Sequence, residues 1–248
     1  MDVSRSILTK PGNARAKLLE AARDIVRVKG FNATSVEELC AAAGVTKGAF
    51  FHHFASKEAL GVAAAEYWSA STSELFATAP YHAHADPLDR VLAYIDFRGQ
   101  LLAGDIEEFT CLAGTMVQEA YISSDAIRAA CDASISGHAA TLEADIEAAL
   151  VKHKVLGTTA ASLALHTQTV LQGAFILAKA KASADIARDS VAHLKRYFEM
   201  LFAAQGKQKR EERANDKNDF CEPTGRQLTE INDLLRSRRC HQQPAIHR

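Results

Sequence analysis

Four consecutive residues, Thr46-Lys47-Gly48-Ala49, combine the side-chain types needed to meet a nucleic-acid groove. The threonine can cap a helix and still reach a phosphate, and the lysine can pair with a phosphate or with a guanine edge. Glycine and alanine allow close approach and leave room for a thymine methyl. The segment 35–54 gives these residues a frame: a capped helix, a turn containing Gly44, and a second helix that opens with them. In a helix-turn-helix the second helix enters the major groove with its first turn nearest the bases. Taken alone, the layout equally describes an ordinary corner between two helices.

A small-molecule site is expected between the helices spanning 87–181, where aromatic and polar side chains share apolar faces. The candidates are Tyr94, Phe97, Arg98, Phe109, Met116, Tyr121, His166 and Gln172, each of which singly also reads as a core or surface residue. Arg98, inside an apolar helix, is the one candidate partner for an anionic group. Cys111 and Cys131 admit a second class of function, a regulator that responds to thiol oxidation. Arg128 near Cys131 is their one basic neighbour in sequence, which favours buried inert thiols. His82-Ala83-His84 lacks a third ligand nearby, so no metal and no cofactor is expected. No Ser/His/Asp order, P-loop or GxGxxG after a strand occurs. The pairs Glu37-Glu38 and Glu107-Glu108 are adjacent and point to different helix faces, so an enzyme is not expected.

These residues need helices to position them, and the pattern is helical throughout. Ala, Leu and Glu recur at helical spacing, alternating β-branched runs are missing, and only five prolines interrupt 248 residues. Expected helices run from about Asn13 to Lys29 with Gly30 as stop, from the Ser35-x-x-Glu38 capping box to Gly44, from Thr46 to His53, and from Ser56 to about Thr78. Longer ones follow over 86–102, 105–121, 124–152, 158–180 and 184–203. The helix over 158–180 carries apolar residues on more than one side, which calls for more than one packing partner, and with 184–203 it makes a helical hairpin with apolar surface to spare. Val155–Ala178 is uncharged for 24 residues but holds too many polar side chains for a lipid-facing helix, so it reads as buried in a soluble protein. From Gly206 a charged tail begins, with a short amphipathic piece at Leu228, Ile231, Leu234 and Leu235.

Net charge is -1, but it is unevenly spread. Residues 1–60 hold nine basic against six acidic residues, 61–205 ten against seventeen, and 206–248 ten against seven. A mildly basic head on an acidic body suggests two tasks in one chain. Five cysteines without a CxxC fit a reducing compartment, and the N-terminus lacks the apolar stretch of an export signal, so a cytoplasmic location is expected.

The run Gly30 to Leu39, the run Ala43-Gly44-Val45-Thr46-Lys47-Gly48-Ala49-Phe50-Phe51-His52-His53-Phe54, and Ser56-Lys57-Glu58-Ala59-Leu60 closely resemble the TetR/AcrR family of transcriptional regulators. The match covers about Ala14 to Leu60. Cys111 to Met116 and Val170 to Lys179 are reminiscent of one broad subgroup. The resemblance implies an all-α homodimer, each chain with an N-terminal three-helix DNA-binding domain over 12–60 and a ligand-binding and dimerisation domain over 61–205, with a tail at 206–248. It implies DNA contacts at Ser35, Thr46, Lys47, Gly48, His52 and Lys57, with Ala49 beside them. Phe51 stands where the family commonly has tyrosine, which removes a hydroxyl that His52 or His53 would replace. The implied partners are a double-stranded, near-palindromic operator and a small-molecule inducer that releases it. A role for Arg5, Lys10, Arg15 and Lys17 at flanking phosphates is a further expectation.

Overall fold

Short polar side chains start most of these helices by satisfying amides that have no partner in the helix itself. In the computed structural model, which describes residues 14–218 and side chains through Ala203, Ser35 Oγ accepts the Glu38 amide at 3.1 Å while the Glu38 carboxylate accepts the Ser35 amide at 2.9 Å. Thr46 accepts from the Ala49 amide at 3.1 Å and Ser56 from the Ala59 amide at 3.0 Å. The helices are α1 Ala14–Lys29, α2 Val36–Ala43, α3 Lys47–His53, α4 Lys57–Ala77, α5 Pro87–Gln100, α6 Ile106–Phe109, α7 Leu112–Ala120, α8 Asp125–His153, α9 Ala160–Lys181 and α10 Asp185–Asn218, with a 3-10 turn at Pro80–Ala83. Among the described residues there is no strand. Gly30 and Gly44 end α1 and α2 with φ of 90° and 64°, the left-handed region that a side chain makes costly.

Two features differ from the sequence reading. The helix expected over 105–121 is two helices, broken at Thr110 and Cys111, whose backbones are extended. The break has local causes: Thr110 caps α6 through its amide, Cys111 Sγ accepts the Gly114 amide at 3.3 Å to start α7, and the freed Thr110 carbonyl accepts Arg27 Nε at 2.8 Å. The final helix also continues through Asn218 rather than stopping near 203, so the segment after Gly206 begins as helix. Its side chains beyond Ala203, the amphipathic piece at 228–235, and Arg5 and Lys10 lie outside the described residues.

The described residues from Ala14 to Phe202 form one compact unit with two apolar cores. The larger core gathers α5, the outer part of α8, α9 and α10 around Tyr94, Ile146, Leu171 and Phe198. The second core belongs to α1–α4, centred on Leu18, Leu39, Phe50 and Leu60, and it is completed by Leu112, Ala113, Met116 and Ala120 of α7 and Ile127 and Cys131 of α8. The 21-residue α4 joins them, with Leu60 and Ala64 in one core and Phe76 in the other. At 1.5 Å per residue it spans roughly 30 Å.

Met116 is fully buried, so Met116→Ala should cost about 2–5 kcal/mol in denaturant unfolding. Because it sits in the core that α1–α4 share with α7, probes in α1–α3 and in the rest of the unit should report the same lowered midpoint.

Candidate nucleic-acid interface and ligand core

The first of the two groups is the exposed side of α3. Phe50, with no exposed surface, and Phe54 anchor α3 from below, packing 5.8 Å apart between ring centres. Above them Thr46, Lys47, Gly48, Phe51 and His52 are exposed and Ala49 partly so. Phe51 leaves 51% of its surface open beside them. Ser35 and Thr46 use an oxygen as helix cap, which leaves the hydroxyl hydrogen of each free to donate to a phosphate. Lys47 is held by Glu37 of α2 at 2.5 Å, and the hydrogen bond each makes to the other raises the lysine pKa and lowers that of the glutamate. Lys57 is turned inward: its ammonium donates to the Asn32 carbonyl at 3.3 Å and lies 4.6 Å from the Phe31 ring centre, and burial lowers its pKa. Arg15 stacks 5.4 Å from the Phe54 ring centre.

The second group is aromatic and lies where α4, α5, α8 and α9 meet. Tyr94 is buried, with its hydroxyl 2.9 Å from His138 Nε2 and Gln168 Nε2 donating to it at 3.5 Å. The phenol can accept from Gln168 while donating to His138 Nε2 in the tautomer that leaves that nitrogen unprotonated. Burial, reinforced by the charge of Arg98, pulls the His138 pKa down to about 3. Burial likewise raises the Tyr94 hydroxyl and pushes Tyr81 up to about 12. The Arg98 guanidinium lies 5.1 Å from the Phe76 ring centre and 5.9 Å from that of Phe175. Phe97 and Phe109 join this cluster, against Phe76 and Phe175 respectively.

The other four candidates are dispersed. Met116 fills the core beneath α1–α4, because α7 leans on α1 rather than on α5. Tyr121 is exposed at the end of α7, and His166 is exposed on α9, with its ring 5.1 Å from Tyr197. Gln172 lines a different cavity, described next. His138 and Gln168 went unread in the sequence. The buried stripe Ile127, Cys131, Ser134, Leu142 and Ile146 on α8 carries the signal for His138, which falls on it at helical spacing.

A third feature has no counterpart in the sequence reading. Where α1 ends against α7 and α9, Lys179 donates to the Arg27 carbonyl at 2.9 Å and to Thr115 Oγ1 at 3.0 Å. Arg27 is 7% exposed, stacks on Trp68, and has its pKa pulled down to about 10 by burial. Nearby, the Glu119 carboxylate accepts the Asn32 amide at 2.7 Å, and Ser124 donates to Glu58. Cys111, partly exposed, borders a cavity that Thr115, Glu119 and Lys179 also line. Cys131 is fully buried, and burial pushes its thiol up to about 12. Among the described residues no three His, Cys, Asp or Glu side chains are grouped to hold a metal ion. Nor is any helix there long and apolar enough to cross a membrane.

Comparison with known proteins matches both halves of the chain. The model of "Bacterial regulatory proteins, tetR family" matches residues 18–64, and that of "Transcriptional regulator LmrA/YxaF-like, C-terminal domain" matches 87–192. The HTH-type transcriptional repressor NemR of Escherichia coli is 29% identical over 190 residues, 74% of this chain and 92% of NemR. Its crystal structure in the reduced form superposes with a TM-score of 0.63 at 27% identity, covering 74% of this chain and 96% of that one. YerO of Bacillus subtilis, an uncharacterized HTH-type regulator, is 39% identical over 54 residues, 22% of this chain and 19% of YerO. A cysteine mutant of the TetR family regulator CifR, complexed with 26-base-pair operator DNA, shares the fold at 18% identity and TM-score 0.62, over 76% of this chain and 98% of that one.

Two predictions follow from the geometry. Lys47→Ala should reduce the salt slope of DNA binding by about one unit in a log–log titration, whereas Glu37→Gln, which frees Lys47, should tighten DNA binding by less than about tenfold. An unfolded histidine titrates near 6.5, so below that pH the unfolded chain takes up a proton that folded His138 refuses until about 3. Stability should therefore fall by up to about 1.4 kcal/mol per pH unit as pH drops through this window. His138→Gln, which keeps an acceptor for Tyr94, should remove that component from urea midpoints compared at neutral and mildly acidic pH.

Proposed function

This chain belongs to the TetR family of bacterial transcriptional regulators, and on that premise we propose that it is a ligand-responsive repressor. It binds a near-palindromic operator as a homodimer, each copy presenting α3 to a major groove, and a small-molecule inducer releases it. The observation that carries this reading is the exposed row Thr46, Lys47, Gly48, Phe51 and His52 on a helix anchored by fully buried Phe50.

Two further observations support the assembly and its control. Leu165, Ile176 and Leu177 of α9 and Tyr197 and Met200 of α10 leave 43–71% of their surfaces open. A second copy packing its own α9 and α10 there covers this apolar surface and sets the distance between the two reading helices. The inducer site is the aromatic cluster around Tyr94, with Arg98 suited to an anionic group on the ligand. Phe76 connects that cluster to the head, because it lies on α4 and packs against Tyr94, Phe97 and His138. A ligand that displaces Phe76 moves α4 and with it the reading head. Reciprocity then requires DNA to weaken ligand binding by the same factor.

A thiol-responsive regulator acting through Cys111 or Cys131 is the second reading, and exposure favours Cys111. Cys131 is fully buried with a raised pKa, whereas Cys111 borders a cavity beside Lys179.

A gel-shift titration with the intergenic DNA upstream of the gene tests the proposal. The expected result is one shifted species, sharply favoured over a scrambled duplex, and equal affinity for both at physiological salt overturns it. Leu177→Glu, in the uncovered α9 surface, should lower the mass in sedimentation to that of a single chain and weaken operator binding together. Dissociation without loss of operator affinity would remove the homodimer from the reading.

A further inference from the structure

The turn between α1 and α2, Gly30 to Thr34, is held from three other helices at once. Phe31 is buried, and its ring fills the notch that Gly61 leaves on α4: a Cβ at Gly61 would come within 2.9 Å of that ring and 3.0 Å of Ile127 Cδ1 on α8. Both backbone groups of the next residue, Asn32, have partners from distant parts of the chain. Its N–H donates to the Glu119 carboxylate on α7 at 2.7 Å, and its carbonyl accepts from Lys57 on α4 at 3.3 Å. Asn32 Nδ2 also donates to the Glu119 carbonyl at 3.5 Å. Gly30 permits this approach, since its φ is 90° and a Cβ there would overlap Glu119 Oε1. The turn closes on itself through Thr34 Oγ1, which donates to the Gly30 carbonyl at 2.6 Å.

Where this turn sits decides where the reading helix sits. Ser35, the residue after it, caps α2 in both directions, and the end of α2 leads to α3 through Gly44, Val45 and Thr46 alone. The Val45 amide is tied back to the Cys40 carbonyl at 2.9 Å, and Lys47 to Glu37 at 2.5 Å. A displacement of Asn32 is therefore passed through α2 to the first turn of α3. We propose that Glu119 is a positioning residue for the reading head: by holding the Asn32 amide from α7, it fixes the angle at which α2 and α3 leave α1. The proposal rests on the repressor reading, and it gives α7 a part in DNA binding although α7 carries none of the residues expected to touch DNA. The bond is charge-assisted and joins residues 87 apart in sequence, so it is made or lost according to where α7 lies. An untied turn samples several orientations, and operator affinity falls by the fraction of heads left in the binding one.

The first measurement needs no DNA. Amide hydrogen exchange of the full-length protein is followed at Asn32, which should exchange at least about tenfold more slowly than an open amide of the same local sequence, and this comparison needs no variant to fold. Glu119→Ala should remove that protection, speeding exchange about tenfold, whereas Glu119→Gln, whose amide oxygen still accepts, should stay within about threefold of wild type. Unchanged exchange around buried Ile146 of α8 shows that both variants are folded. Operator binding is then titrated against salt. Glu119→Ala should weaken it about tenfold at every salt concentration with an unchanged log–log slope, and Glu119→Gln should restore most of the loss. Removal of a negative charge would by itself tighten binding to DNA, so charge and position predict opposite signs. Wild-type exchange at Asn32 in Glu119→Ala overturns the proposal. So does operator binding by Glu119→Ala as tight as wild type or tighter, or a Glu119→Gln variant as weak as Glu119→Ala. A wild-type protein that binds operator and scrambled duplex alike overturns the repressor reading instead, and the exchange comparison still decides whether Glu119 holds the turn.

Discussion

Three short helices cannot bury their own apolar faces. With 16, 8 and 7 residues, α1, α2 and α3 present Leu18, Leu39 and Phe50 to a common centre, but an assembly of that size encloses too little surface to be stable alone. The core is closed from outside, by the start of α4 and by α7 and the first turns of α8. This shared core is the constraint from which the rest of the molecule takes its form. A reading head that needs α7 to be complete cannot swing as a free module, and any change at α7 is felt in the head.

The polar junction beside that core has the opposite character. Arg27, Lys179, Glu119 and Glu58 tie α1, α4, α7, α8 and α9 together through a few directed hydrogen bonds. Apolar packing tolerates small rotations of one helix on another, whereas such bonds hold one arrangement and are lost when it changes. Burial of the Arg27 guanidinium makes those bonds matter, since losing one leaves a charged donor without a partner away from water. Its position between the two cores is where a regulator would need two arrangements of similar energy.

Much of the head is legible in the sequence alone. The caps at Ser35, Thr46 and Ser56 and the stop at Gly30 mark the head helices to within a residue or two, because those signals are local. Phe50 and Phe54 read as core for the same reason. The break at Thr110 was not legible, since half of its cause is Arg27, 83 residues away. Likewise Met116 resembles a pocket residue in sequence although α7 leans on α1, and the partners of Tyr94 come from α8 and α9. Periodicity identifies which face of a helix is buried but not which neighbour buries it. The head helices were therefore readable, while the interior sites, assembled across the whole chain, were only partly so.

The pairing of Lys47 with Glu37 has a consequence for how such a protein finds its target. Phosphates are offered identically by every stretch of a genome, and a free lysine answers all of them alike. A lysine that already has a carboxylate partner gains less from an anonymous phosphate, because the new bond replaces an old one. On the proposed reading, contacts at base edges and by Phe51 carry no such deduction. On the proposed reading the acidic neighbour therefore trims the sequence-independent share of binding, and contacts at base edges make up more of what is left.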